Sequence, residues 1–174
     1  MKTNAIKIIE GNLLDSPDTY IAHQCNCTGQ FAGGVAKVIF EKWPKCDDYI
    51  RGTHGEFGSF KVHRVEKEKW VVNMFTQYWG GGPQENLPGN DDRAYDREIM
   101  FARCLFFMTQ GLVSRSRQIR RPLTVSMPYL IGCGLARGNW NNYLRMLAIF
   151  SDVLTANGGQ LTLYKLPEKP TEIK

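Results

Sequence analysis

The sequence predicts an α/β fold with a mixed, mostly parallel six-stranded central sheet covered by helices on both faces. Three observations carry this. Six short strand-like runs are interleaved with three helical patterns. The runs at 20–25 and 70–77 are almost wholly apolar, as expected of strands buried on both faces. Two of the runs lead into glycine-rich loops that each precede a helix, the arrangement by which open α/β sheets bind ligands at their strand ends.

The elements follow in order. Residues 6–10 form a β-branched run stopped by Gly11-Asn12, which predicts the first strand. Pro17 keeps the next segment a loop. The second strand, 20–25, opens into the stretch His23-Gln24-Cys25-Asn26-Cys27-Thr28-Gly29 and then Ala32-Gly33-Gly34-Val35-Ala36. Apolar residues at 35, 36, 39, 40 and 43 mark a helix that Pro44 ends. Residues 45–59 look irregular. The run 60–65 alternates apolar and polar, so it predicts a half-exposed strand near an edge, paired through a charged turn with 70–77. A long glycine-bearing loop from Tyr78 to about 90 follows, of the kind that often carries function. Asn90, Asp91 and Asp92 offer N-caps for a helix over about 93–113, and the arginine-rich 114–121 is expected as a linker closed by Pro122. The strand 123–128 feeds a second glycine loop, Ile131-Gly132-Cys133-Gly134-Leu135-Ala136. Asn139 caps a helix over 140–156, Asn157-Gly158-Gly159 stops it, and 160–166 is the last strand. Residues 1–166 are expected as one domain and 167–174 as a loose polar tail.

Composition narrows the class. A chain of 174 residues, 43% hydrophobic and 22% charged, should fold around a core of its own. No apolar run approaches the roughly 18 residues of a membrane span, and Met1 is not followed by a signal-peptide core, so a soluble, cytoplasmic protein is expected. The net charge of +5 suits anionic partners but also occurs without them. Arg115, Arg117, Arg120 and Arg121 form a basic cluster, either a solvated helix end or an accessory site for nucleic acid. Five cysteines, an odd count, suggest free and mostly buried thiols. Cys25 and Cys27 lack a second metal-spaced pair, so no metal is expected.

The chemistry points to a phosphate-bearing small molecule. Glycine lets backbone approach a ligand closely, and a helix start presents unpaired N–H groups and a positive dipole end. Two such loops can clamp one ligand. The dinucleotide fingerprint, the Gly-Lys-Ser/Thr ending of a nucleotide-triphosphate loop and the Gly-x-Ser-x-Gly elbow are all absent. Cys133 between two glycines invites a nucleophile reading, but a small residue packed under a phosphate loop serves as well.

The combination Asn26-x2-Gly29-x3-Gly33-Gly34-Val35-Ala36, Gly11-Asn12-Leu13 after the first strand, Met127-Pro128 before Ile131-Gly132-Cys133-Gly134-Leu135, and Tyr164 in the last strand resembles the macro domains, modules that bind ADP-ribose. The resemblance spans about 5–166 and is most similar to the ADP-ribose 1″-phosphate phosphatase type, with a second loop closer to the glutamate-hydrolase branch. It implies a three-layer α/β/α macro domain and no cofactor. Asn12 and Leu13 would meet the adenine, with Tyr164 packed nearby. Asn26 would hydrogen-bond the distal ribose. Ala32, Gly33, Gly34, Val35 and Ala36, with Ile131, Gly132, Cys133, Gly134, Leu135 and Ala136, would surround the pyrophosphate.

There are departures. Asn12 stands where the family keeps an Asp; its carbonyl would still accept from the adenine amine. Ala32 replaces the first of three glycines. Gln77 and Ala136 stand where the glutamate-hydrolase branch keeps a reactive Lys and Asp, and neither can form a Schiff base or act as a base. The resemblance therefore implies hydrolysis of ADP-ribose 1″-phosphate, with His23 as general acid/base and Asn26 orienting ribose or water. Binding of ADP-ribose without turnover, and removal of ADP-ribosyl or O-acetyl groups, are the alternatives. His23 is open to a second reading as a core histidine, Asn26 as a turn amide, and Asp91 or Asp92 as caps rather than pocket residues. Tyr78 and Trp79 line the distal pocket or pack on the core.

Overall fold

A computed structural model of the chain describes residues 6–50, 52, 55–84 and 92–167. The elements run β1 (Lys7–Glu10), β2 (Tyr20–Asn26), α1 (Gly34–Lys42), β3 (Ser59–Glu66), β4 (Lys69–Gln77), α2 (Ala94–Ile119), β5 (Thr124–Pro128), α3 (Trp140–Ala156) and β6 (Gln160–Lys165). The strands form one six-stranded sheet in the order β1-β6-β5-β2-β4-β3. Every neighbouring pair is parallel except β3 and β4, which are antiparallel. The sheet is thus mixed and mostly parallel, as expected, with β3 at the edge.

Period-two alternation sends side chains to two separate cores. Tyr20, Ala22, Trp70, Val72, Met74, Val125, Met127, Leu161 and Leu163 meet Phe101, Cys104, Met108 and Leu112 of α2 and Tyr143, Leu147, Phe150 and Leu154 of α3. On the opposite face Ile21, Cys25, Val71 and Phe75 meet Ala36, Ile39 and Phe40 of α1, followed by Trp43 and Cys46. The result is three layers, α/β/α. Burying each large apolar side chain contributes roughly 1.5–3 kcal/mol. The cysteines serve this packing: none of the five is in a disulfide, and Cys25, Cys27, Cys46 and Cys104 are buried.

Two expectations need correction around α2. The arginine-rich segment is not a linker from residue 114, because the helix continues to Ile119. Ser116 turns inward to donate to the Tyr20 hydroxyl at 3.0 Å, and the Arg115 guanidinium lies 5.6 Å from the Trp70 ring centroid. Polar residues on the inward face hide the helical period. Second, Asp92 does not cap α2. Arg93 is the N-cap, and the Asp96 carboxylate accepts its N–H at 3.1 Å. Asn90 and Asp91 lie outside the described residues, as does the expected tail beyond Pro167.

One feature of the sheet prepares the site. β2 and β5 pair only through Tyr20–Val125 and Ile21–Ser126, at their N-terminal ends. Beyond that the two strands separate. Their loops leave toward opposite edges of the sheet, β2 toward β4 and β5 toward β6, which is a switch point in strand order.

Candidate ligand-binding site

A cavity of about 480 Å³ occupies the gap between the ends of β2 and β5. One wall is the first glycine loop and the start of α1: Asn26, Phe31, Gly33, Gly34, Val35 and Ala36. The facing wall is the second loop: Ile131, Gly132, Gly134, Leu135 and Ala136, preceded by Pro128, Tyr129 and Leu130. Gln24, Tyr49, Gln77, Gly80 and Gly81 close the far end. Asn12, Leu13 and Tyr164 line an adjoining groove of about 310 Å³, which shares Val35, Pro128, Tyr129 and Leu130 with the cavity. The two spaces make one elongated trough. Of the expected ligand residues, Ala32 and Cys133 line neither.

The walls are built to donate. Gly33 caps α1 with extended backbone and makes no side-chain cap bond, so the N–H groups of Gly34, Val35 and Ala36 are left to a ligand. Across the trough the N–H groups of Gly134, Leu135 and Ala136 have no acceptor among the described residues. Gly132 cannot be replaced easily. Its φ is 73°, and a methyl group there would lie 2.5 Å from Tyr143 Cε1 and 2.6 Å from Gln24 Oε1. Among the described residues no charged side chain lines the cavity. Its polar side chains are amides and phenols.

Asn26 serves both roles considered for it. Its Oδ1 accepts the Gly29 N–H at 2.7 Å and the Thr28 hydroxyl at 3.0 Å, fixing the turn. Its Nδ2 donates to Phe31 O at 3.3 Å, which leaves one amide hydrogen for the cavity. The Asn26 N–H donates to the Tyr49 hydroxyl at 2.8 Å. Burial pushes the Tyr49 phenol well up, so it stays neutral. Gln24 Nε2 donates to Gln77 Oε1 at 2.7 Å, and Gln77 Nε2 to Trp79 O at 3.1 Å. Gln24 Oε1 is buried without a partner among the described residues, an acceptor at the far end of the cavity.

His23 is not brought to the cavity. It is fully buried on the α1 face, its ring centroid 5.4 Å from that of Phe40. Its Nε2–H donates to Asn73 Oδ1 at 2.7 Å. Asn73 Nδ2 in turn donates to Cys46 O at 2.7 Å and to Asp48 Oδ2 at 2.8 Å. Burial pushes the imidazole down to about 4. Cys133 packs against the α2–α3 core, and burial pushes its thiol up to about 11, which leaves a weak nucleophile.

Asp92 is neither a helix cap nor a cavity-lining residue, and with Arg97 it takes a third role. Both are buried. The Asp92 carboxylate accepts the N–H groups of Tyr78 at 2.9 Å and Trp79 at 3.0 Å, and it pairs with Arg97. Arg97 then donates to Gly81 O at 2.7 Å, Gly82 O at 3.1 Å and Ala136 O at 3.4 Å. One guanidinium thus joins the loop after β4 to the second glycine loop. In the groove, Asn12 Oδ1 accepts the Leu14 N–H at 3.1 Å, so its amide nitrogen is the freer group toward a ligand.

Sequence reasoning missed Gln24, Phe31, Tyr49, Tyr129 and Leu130 as lining residues. Gln24 was within reach, since it lies two residues from Asn26 on one strand and therefore on the same face. Tyr49 sits in the irregular segment, where no period exists to read. Among the described residues no cluster of His, Cys, Asp or Glu could hold a metal ion. No helix among them is long and apolar enough to cross a membrane.

A six-stranded mixed sheet between helical layers, with two glycine loops meeting over a split in the sheet, is the macrodomain fold, and this chain has it. The chain superimposes on the macrodomain of Mycobacterium tuberculosis DarG with a TM-score of 0.68, at 17% identity over 95% of this chain and 99% of that one. A macrodomain protein from Streptomyces coelicolor gives 0.62 at 21% identity, over 92% and 98%. A Bacteroides thetaiotaomicron protein of unknown function gives 0.69 at 24% identity, over 93% and 98%. Among curated proteins the chain is similar to an ADP-ribose 1″-phosphate phosphatase of Aspergillus oryzae, 46% identical over 41 residues. That match takes in 23% of this chain and 20% of the fungal protein's length. No family model matches the chain.

Proposed function

We propose that this chain binds ADP-ribose along the trough and hydrolyses ADP-ribose 1″-phosphate to ADP-ribose and phosphate. The observation that carries the reading is the double row of N–H groups without an acceptor among the described residues, from Gly34–Ala36 on one wall and Gly134–Ala136 on the other, with no charged side chain among the described residues that line the cavity. Such walls suit a pyrophosphate, whose charge is spread over oxygens that backbone dipoles can meet singly. The groove beside Leu13, Val38, Tyr164 and Leu166 offers a flat apolar slot for a base. At the other end the free amide hydrogen of Asn26 and the open Gln24 Oε1 suit ribose hydroxyls. The similarity to the fungal phosphatase supports the choice of ester.

The buried position of His23 removes the imidazole from the reacting atoms in this reading. Hydrolysis then rests on orientation. Asn26 and Gln24 hold ribose and water in line with the phosphorus–oxygen bond, and the N–H groups stabilise the charge that develops. Among the described residues no imidazole, carboxylate or amine lines the cavity wall, which favours slow turnover, and this is the specific observation behind a second reading, binding without turnover.

Phosphate release from ADP-ribose 1″-phosphate separates the two. The parent is expected to release phosphate, His23→Gln to do so at a comparable rate, and Asn26→Ala to lose at least about tenfold in kcat/KM. Tight ADP-ribose binding with no release would leave only the binding module. Binding of neither ligand would remove both readings.

A further inference from the structure

We propose that Arg137 reads a terminal phosphate on the distal ribose of the ligand, which makes it a specificity-determining residue of this site. The inference rests on the ADP-ribose reading above and adds to it the group that tells a phosphorylated ligand from a plain one.

Arg137 directly follows Ala136, the last cavity residue of the second loop. Its backbone is in the left-handed region, at φ 55°. That conformation is uncommon for a residue with a side chain, and the surrounding loop holds it there. The Arg137 N–H donates to Gly134 O at 3.0 Å, and the Gly138 N–H to Gly132 O at 2.8 Å. Gly138 leaves no room for another arrangement, since a methyl group there would lie 2.6 Å from Gly132 O.

The turn lays the arginine across the loop that follows β4. A methyl group on Gly82 would lie 3.0 Å from Arg137 Cδ and 3.5 Å from its Nε. Two residues earlier on the same loop, a methyl group on Gly80 would lie 3.7 Å from Asn26 Nδ2. Asn26 and Arg137 therefore flank one short segment, residues 80–82, at the end of the trough farthest from Asn12 and Tyr164. That is the end where the distal ribose would sit.

Charge completes the argument. The pyrophosphate is served by backbone donors, but a phosphate monoester adds a further charge of nearly −2 and three acceptor oxygens. Among the described residues the cavity wall offers no cation for it. Arg97 is buried and already neutralised by Asp92. Arg93 pairs with Asp96, and Arg121 with Glu68. Arg137 is exposed, and among the described residues it has no carboxylate partner. A guanidinium fork fits two phosphate oxygens at once, which a lysine cannot reproduce.

The test compares two ligands on three proteins by calorimetry. The ligands are ADP-ribose and its 1″-phosphonate analogue, in which carbon replaces the bridging oxygen so that nothing is released. The proteins are the parent, Arg137→Asn and Arg137→Lys; asparagine tolerates the left-handed backbone, so the first substitution removes charge without straining the turn. The parent should bind the phosphonate more tightly than ADP-ribose. Arg137→Asn should weaken the phosphonate about tenfold and leave ADP-ribose within about twofold, with Arg137→Lys in between. Equal weakening of both ligands would make Arg137 a loop-shaping residue and overturn the proposal, as would no change in either. A parent that binds ADP-ribose but not the phosphonate would overturn this inference alone. A parent that binds neither would overturn the ADP-ribose reading with it.

Discussion

At the scale of single residues, the two ends of His23-Gln24-Cys25-Asn26 do different work. Strand alternation places Gln24 and Asn26 at the cavity and turns His23 and Cys25 toward α1. His23 is then a structural group with a titration signature. Its imidazole is held near 4 when folded and titrates near 6.5 when unfolded, so the unfolded chain binds the extra proton first. The stability it contributes is full above about pH 6.5 and is lost as the pH falls through the window down to about 4, by about 3 kcal/mol in all. Urea denaturation between pH 7.5 and 4.5 should show this loss in the parent and a flatter profile in His23→Gln. The same pH profile in His23→Gln as in the parent would mean that His23 takes up its proton equally in the folded and unfolded states. Residue types and spacing made the glycine loops and Asn26 stand out in the sequence, and the resemblance to macro domains added Tyr164; Asn26, Gly33, Gly34, Gly132, Gly134 and Tyr164 line the trough. The direction in which His23 points was legible only to the extent that alternation was applied residue by residue.

At the scale of elements, most of the fold could be read because strands and helices are local periods. The bounds of α3 agree with the expectation, and those of the strands shift by a residue or so. What could not be read was tertiary. α2 runs past Val113 because Ser116 finds Tyr20 and Arg115 finds Trp70, partners far off in the chain. Arg97 looks in the sequence like one more surface arginine on a helix. In the fold it is buried and ties α2, the loop after β4 and the second glycine loop together. Arg97→Met should therefore cost about 3–5 kcal/mol, because Asp92 is left buried without its counter-ion. Arg97→Met with Asp92→Asn should recover part of that loss, since the second change removes the stranded charge. Thermal or urea unfolding of the single and double variants checks this. A single variant as stable as the parent would show that the pair contributes nothing net.

At the scale of the whole molecule, the sheet can be viewed as two halves. β1, β6 and β5 with α3 form one, and β2, β4 and β3 with α1 form the other. β2 and β5 join them at one end through Tyr20–Val125 and Ile21–Ser126. Each half contributes one glycine loop to the trough. Toward the open end the ladder lacks rungs between the central strands, and the Arg97 clasp spans the outer rim. A pyrophosphate lying there would accept from the N–H groups of both loops at once, standing in for the strand-to-strand hydrogen bonds that the fold leaves out. The ligand would then act as a removable piece of the sheet. Amide hydrogen exchange should report this directly. Residues 33–36 and 131–136 should exchange faster than the sheet interior in the free protein and slow together when ADP-ribose is added. If only one loop slowed, the ligand would be seated on one half of the molecule rather than closing the seam between the two.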